Sequence, residues 1–446
     1  MNILFITTAF SPENAMGAVR TTKFVKYLVK NNYKVTVVSP EMHSGSKTDY
    51  SLECDELTRV NRILIPQSSI FSSLFLRKRN KMLEKKSATD YLKTADGNKL
   101  LSKVKSQFFI CLQFLYTLLR NEDWYLMVLK TLNKNLEVKK FDVIISSYPS
   151  LGAHWSAKKI SKKHGIKWIA DFRDPVNYEG NSNRVIFNIA EHIQNSILKQ
   201  AHQITYVTEE MIGRLNKTAK FNSEKFNFLP NGFDPLDDSS LKNESELVQH
   251  RKLVVSYMGS LYGGKRDLEI IFKAIRQLID DHSITENQLV FYYAGKEFNV
   301  LKSQAIKYKL EELIVDRGFV SREESIKIQK ESDIIVVATW NSNVDSGIIP
   351  GKIYECFLLK KVILGVVNGN LSNSEMKKLI LNVNGGFTYE DASIDKEKDF
   401  VNLMDFIKEK VNEKRDSGQV ESKYNNEITK YEYSYLTEKL IGIINN

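Results

Sequence analysis

Cysteine is scarce in this chain of 446 residues, and Cys54, Cys111 and Cys356 are odd in number and far apart. That usage argues against a disulfide framework or a zinc site and for a reducing cytoplasm. Long apolar runs are missing as well. The strongest, Ser106 to Leu119, falls short of the roughly 20 residues that span a bilayer. After Met1-Asn2 the apolar residues Ile3 to Ile6 run straight into Thr7-Thr8 with no basic segment before them, so no secretory signal is expected. No G-x-G-x-x-G occurs, which disfavours a dinucleotide-dependent dehydrogenase. Internal repeats and low-complexity tracts are absent too.

What is present is the composition of a soluble globular protein, 42% apolar and 26% charged. Its length predicts two large α/β domains. The net charge of +10 is concentrated, because fifteen Lys/Arg face six Asp/Glu between Arg77 and Lys140. A solvated basic face, nucleic acid and an anionic membrane surface are the readings of such a segment. Interleaved Leu and Phe, in place of aromatic platforms for single strands, disfavour nucleic acid. Phe108, Cys111, Leu112, Leu115 and Leu119 recur at helical spacing, continued by Trp124, Leu129 and Leu132. The segment therefore suits a helix packed in a core, or one lying in a membrane interface beside a polybasic collar.

In chain order, Asn2 to Thr7 reads as a first buried strand, Ala9 to Arg20 as a loop, 18–31 as a helix and Lys34 to Ser39 as a second strand. Phe141 to Ser147 and Lys167 to Asp171 are further strands, with a helix from Trp155 to His164 between them and Gly165 as its C-cap. In an open α/β sheet the site lies at strand ends, so His154, Asp171, Arg173 and Asp174 are candidates by position, with a structural histidine the plainer reading of His154. Strands at Ala201 to Thr208 and Lys225 to Pro230 complete a first domain over 1–234, with a basic and apolar helical insertion at about 76–140. The polar stretch 235–249 reads as a linker. A second α/β series over 250–423 starts with Lys252 to Tyr262, a strand entering a Gly-rich loop, Gly259 to Lys265. A helix from Asp267 to Asp280 and strands at Gln288 to Ala294, Ile314 to Phe319 and Ile334 to Ala338 follow, and 424–446 contributes one amphipathic helix.

The most informative stretch is Ser346 to Gly365, SGIIPGKIYECFLLKKVILG. It predicts a loop feeding a helix that feeds a buried strand. Backbone N–H groups at the helix start would attract an anion, and Glu355 in the first turn could reach a hydroxyl. An ordinary capped helix is the alternative.

Three marks, Ala170 to Pro175 (ADFRDP), Tyr257 to Leu261 (YMGSL) and Pro350 to Glu355 (PGKIYE), set in this order along a doubled α/β pattern, resemble the GT-B glycosyltransferases. The closer resemblance is to the retaining group of family 4 type that includes bacterial surface polysaccharide transferases, and it covers essentially the whole chain. The resemblance implies two Rossmann-like domains facing across a cleft, with the last helix crossing back to the first domain. It implies transfer of a sugar from a nucleotide-diphosphate donor to a hydroxyl of a saccharide or lipid-linked acceptor, and the basic and apolar segment would put a lipid-linked acceptor at the cytoplasmic face of the membrane. By position, Glu355 matches the ribose-binding glutamate, and Ile348, Ile349 and Pro350 the loop that meets the diphosphate. Lysine or arginine of the pair Lys265 and Arg266 holds the diphosphate, with Ser260 and Lys352 in the same nucleotide site. Gly17 matches the N-terminal glycine loop near donor phosphate and acceptor, and His154 the histidine beside the transferred sugar, while Asp171 and Arg173 join it as catalytic candidates by their strand-end position. Gly347 stands where the family often has a second glutamate, so donor-sugar contacts depart from the pattern. No Asp-x-Asp pair occurs, and no metal or other cofactor is expected. A nucleotide-sugar epimerase of the same fold and a catalytically weak binding relative are the competing readings.

Overall fold

The computed structural model describes residues 1–42, 48–66, 68, 99–135, 138–176, 183–216, 223–237, 252–343 and 345–446. Two compact units result. The first comprises Met1–Val207, Met211–Leu229 and Thr437–Asn446, the second Thr208–Glu210 and Pro230–Leu436.

The first unit is built on β1 (Asn2–Ile6), β2 (Lys34–Pro40), β3 (Asn61–Ile65), β4 (Val143–Ser147), β5 (Lys167–Phe172), β6 (Gln203–Tyr206) and β7 (Phe226–Phe228), interleaved with α1 (Met16–Lys30), α2 (Lys99–Asn135), α3 (Leu151–His164), α4 (Arg184–Gln200) and α5 (Glu209–Asn216). The described strands of this sheet pair in parallel, in the order β3-β2-β1-β4-β5-β6-β7. Phe5 lies opposite Val37 on one side and Ile145 on the other. Parallel strands are hidden on both faces, which is why β1 and β4 read as unbroken apolar runs. The chain leaves β1 toward β2 and returns beside it as β4, so the strand order reverses there and opens a crevice beyond the strand ends.

Helix α2 is a single 37-residue element. Phe114, Trp124, Val128 and Leu132 pack into the core, whereas Phe108, Leu112, Leu115, Leu119 and Leu126 stay exposed, Phe108 at 65%. Core packing thus accounts for one face of the predicted apolar segment and leaves a second apolar face bare. Among the described residues no helix is long and apolar enough to cross a membrane. The stretch 76–98 of the basic insertion and 238–249 of the linker fall outside the described residues.

The second unit holds β8 (Leu253–Met258), β9 (Leu289–Ala294), β10 (Ile314–Asp316), β11 (Ile334–Asn341), β12 (Val362–Gly369) and β13 (Gly386–Glu390), again parallel, in the order β10-β9-β8-β11-β12-β13. Helices α6 (Glu269–Asp280), α7 (Phe298–Ile306), α8 (Arg322–Glu331), α9 (Lys352–Leu358), α10 (Glu375–Asn382) and α11 (Lys396–Ser417) join them. Its reversal lies between β8 and β11.

The tail differs from the single helix expected over 424–444. A 3-10 turn at Asn426–Tyr431 precedes α12 (Tyr433–Asn445). The break is held by Phe233, which donates its N–H to Tyr431 O (3.0 Å) and accepts from Tyr433 N (2.9 Å). Thr437 onward belongs to the first unit, where Lys167 Nζ donates to the carbonyls of Ile443 (3.1 Å) and Ile444 (2.8 Å). A cation there satisfies the orphan carbonyls of a helix C-terminus. Helix α6 starts at Glu269, two residues later than expected, with the Asp267 carboxylate in the preceding turn accepting from Glu269 N (2.8 Å).

Candidate functional site

In the second unit, β11 ends in Thr339-Trp340-Asn341. Thr339 Oγ1 donates to Ile348 O (3.2 Å), tying the Ser346–Gly351 loop to the strand end. Within that loop Gly347 has φ +74°. A non-glycine side chain there would carry the strain of the left-handed region, about 1–2 kcal/mol, so this backbone itself disfavours a glutamate. Helix α9 has seven residues and no side-chain cap at Gly351, so its dipole is that of two turns.

Glu355 lies on α9 with its side chain 15% exposed. Its Oε2 accepts from Lys352 Nζ (2.8 Å) and from Gln329 Nε2 of α8 (2.9 Å). Burial pushes the carboxyl up, but the Lys352 charge and these hydrogen bonds outweigh it and hold it below the usual glutamate range. Oε1 makes no hydrogen bond among the described residues. The result is an ionised carboxylate with one oxygen fixed and one available.

Lys265 and Arg266 follow the Gly-rich loop after β8. Lys265 Nζ lies 5.2 Å from the Trp340 ring centre, and the Arg266 guanidinium carbon 5.5 Å from it and 4.6 Å from that of Tyr262. Cation–π contacts of this kind hold two like charges side by side at the reversal point. Arg266 Nη1 also donates to Ser260 O (3.4 Å), while its Nε is buried without a partner.

The residue that sequence reasoning missed is Glu297, just past β9. Its carboxylate accepts from Ser260 Oγ and from the backbone N–H groups of Leu261 (2.7 Å), Tyr262 (3.2 Å) and Gly263 (2.8 Å). Ser260 and the loop amides are therefore committed to an internal anion, and Glu297 sets the loop that carries Lys265 and Arg266. A Glu two residues after Gly295 at a strand end was the only local signal.

In the first unit a cavity of about 930 Å³ opens at the ends of β1, β2 and β4. Its wall brings together Gly17 and Arg173. A Cβ at position 17 would collide with the Arg173 guanidinium, whose Nε donates to Tyr148 O (2.8 Å). Asp174 is exposed beside it.

His154 and Asp171 do not reach that wall. His154 is fully enclosed at 0% exposure, with Phe172 4.8 Å and Tyr148 6.2 Å away between ring centres. Ser146 Oγ accepts from Trp168 Nε1 (2.7 Å) and lies 2.7 Å from His154 Nδ1. Ser146 can then give its own proton to Nδ1, which puts the imidazole proton on Nε2, a buried atom without a partner. Burial lowers the His154 pKa to about 3, so the ring is neutral at physiological pH. Asp171, 5% exposed, is consumed by Arg20 Nη2 (2.8 Å), Ser147 Oγ (2.9 Å) and Thr205 Oγ1 (2.7 Å). Of the three expected catalytic side chains, only Arg173 lines the cavity.

No family model matches the chain, and no curated protein matches it in sequence. Solved structures resemble it over its whole length. HepE of Anabaena in complex with UDP is 12% identical with a TM-score of 0.59, all of both chains being covered. Sucrose-phosphate synthase of Thermosynechococcus elongatus is 9% identical with a TM-score of 0.61, over 100% of this chain and 98% of that one. WaaG, a glycosyltransferase involved in lipopolysaccharide biosynthesis, is 11% identical with a TM-score of 0.56, all of both chains being covered. At such identities the likeness speaks to architecture, and the architecture of two parallel-sheet Rossmann-like units is the GT-B fold.

Proposed function

We propose that the chain is a glycosyltransferase, moving a sugar from a nucleotide-diphosphate donor to a hydroxyl of a saccharide or lipid-linked acceptor in bacterial surface polysaccharide or glycoconjugate synthesis. The observation that carries this reading is Glu355, with one oxygen held by Lys352 and Gln329 and the other open, in the unit that gathers Lys265, Arg266 and Trp340 at its strand reversal. Glu355 Oε1 would accept from a ribose hydroxyl, and the Ile348–Pro350 backbone with Lys265 and Arg266 would meet the diphosphate. Ser260 acts through the loop that Glu297 orders, and Lys352 orients Glu355. HepE, also solved with UDP-glucose, and WaaG lend the reading support by their fold.

In the reaction, the bond from the sugar carbon to the diphosphate oxygen breaks and the acceptor oxygen bonds that carbon. The acceptor proton passes to the departing phosphate, with the anomeric configuration retained. Fixed cations aimed at the leaving diphosphate stabilise its developing charge without a metal ion. Gly17 and Arg173 belong to the acceptor side, and His154 and Asp171 support that side from beneath. A thermal-shift panel of nucleoside diphosphates in the presence of a chelator tests the donor site. One of them should raise Tm, by the equivalent of about 2.7 kcal/mol at a hundredfold excess over Kd, and no shift from any would sink the reading.

The protein would work in the cytoplasm, peripherally on the membrane. The bare stripe of α2 supports this, together with exposed Val185 and Ile189 of α4, whose N-cap Asn183 donates to Gln107 Oε1 of α2 (2.8 Å). Ten Lys/Arg against three Asp/Glu between Arg77 and Lys105 add the charge. Cosedimentation with phosphatidylglycerol vesicles, weakened by salt and by Leu112→Ser/Leu115→Ser, is the expected outcome. Equal binding to neutral vesicles would remove the charge argument, and no binding the membrane itself.

A further inference from the structure

The cavity of the first unit contains a carboxylate that the mechanism above leaves without a task. Glu13 sits in the β1–α1 loop on the cavity wall. Its backbone is pinned, its N–H donating to Phe10 O (3.0 Å) and its carbonyl accepting from Ala15 N (3.0 Å). The carboxylate itself makes no hydrogen bond or ion pair among the described residues. Burial pushes its pKa up against the pull of Arg173 and Arg120. A half-desolvated carboxylate without a donor costs free energy that a ligand hydroxyl would recover.

Two more groups on the same wall lack partners. Arg120 of α2 is exposed and makes no hydrogen bond or ion pair among the described residues. Trp124 is 8% exposed, and its indole N–H is buried with no acceptor. The other charges there are partly spoken for. Arg62 is paired with Glu53 (2.9 and 2.7 Å), Arg173 donates from Nε to Tyr148 O (2.8 Å), Asp123 accepts from Ser68 Oγ (2.5 Å), and Glu41 is exposed at the rim. Phe10 and Tyr116 supply apolar faces, and the volume is that of a small-molecule site. An unmet acceptor and an exposed cation beside aromatic side chains match a hydroxylated ring that bears a negative charge.

We propose that this cavity binds a saccharide carrying an anionic group, phosphate or carboxylate, with a ring hydroxyl donating to Glu13 and the anion seated on Arg120. Calling that saccharide the acceptor rests on the glycosyltransferase reading, but its binding does not.

Ligand-observed NMR titrations of the full chain with glucose, glucose 6-phosphate, glucuronate and inorganic phosphate test it, with UDP run in parallel. Losing one charge-assisted contact costs about tenfold or more in Kd, so glucose 6-phosphate or glucuronate should bind about tenfold tighter than glucose. Which of the two wins separates phosphate from carboxylate. Arg120→Ala, at an exposed position, should abolish that preference, and Glu13→Gln should weaken all sugars while leaving UDP binding unchanged. Equal binding of charged and neutral sugars, an unaltered preference in Arg120→Ala, or inorganic phosphate competing as well as the sugar phosphate would each overturn the proposal. UDP binding with failed sugar titrations sinks this inference alone, and the converse sinks only the donor site.

Discussion

Asp171→Ala is expected to destabilise the first unit by about 3–5 kcal/mol, the cost of removing one partner of a buried ion pair. Arg20, 1% exposed, would lose the carboxylate that faces it, its Nη2 keeping the Leu229 carbonyl (2.9 Å), and the hydroxyls of Ser147 and Thr205 would lose an acceptor. Asp171→Asn keeps the shape and should cost less. The two variants separate further with pH. Burial pushes the Asp171 carboxyl up, yet Arg20 and the surrounding hydroxyls outweigh it and hold the pKa below the usual aspartate value. The stabilisation from ionised Asp171 is therefore complete above about pH 4 and is lost as pH falls through the depressed folded pKa. Wild type and Asp171→Asn should converge in acid and diverge toward neutrality. Hydrogen exchange of β4 to β6 amides against pH reads this directly. A constant stability gap from neutrality into acid would show that the carboxylate's charge is not what holds Arg20.

Glu355→Gln should weaken nucleotide binding by about 1.5–3 kcal/mol, the value of a hydrogen bond to a charged acceptor, or about ten- to a hundredfold in Kd. Because the same change removes the partner of Lys352, affinity alone does not separate a ribose contact from a loosened α9. Calorimetry with a ribonucleoside diphosphate and its 2′,3′-dideoxy analogue does. Wild type should prefer the ribose form, and Glu355→Gln should lose most of that preference, since a neutral amide oxygen is a weaker acceptor than the carboxylate. A variant that keeps the full preference would take Glu355 out of the ribose site.

These two carboxylates show how far the chain could be read without its fold. Both stood out by position, Asp171 at a strand end and Glu355 at a helix start. Their partners did not, because Arg20 is 151 residues from Asp171 and Gln329 is 26 residues from Glu355. Glu297 went unread for the same reason, its partners lying in the loop after the neighbouring strand β8, 34 to 37 residues away in sequence. Among the secondary elements, the buried strands β1, β4, β5, β8 and β11 were legible as apolar runs. The half-exposed edge strand β3 and the helices α4, α5, α7, α10 and α11 were not picked out. Their apolar positions are diluted by exposed polar ones, as along α11, where only Leu403, Ile407 and Val411 are buried hydrophobics.

The amino-acid sequence by itself determined two parallel sheets, the loops at their strand ends and the glycine at 347, since apolar runs and backbone preferences act over a few residues. Only the tertiary structure decided which of the side chains near the strand ends line a cavity and which are sealed. What packs over each position seals it, as around His154 on α3 and Asp171 on β5, or leaves it open to the cavity, as at Arg173 just past β5 and Glu13 in the β1–α1 loop.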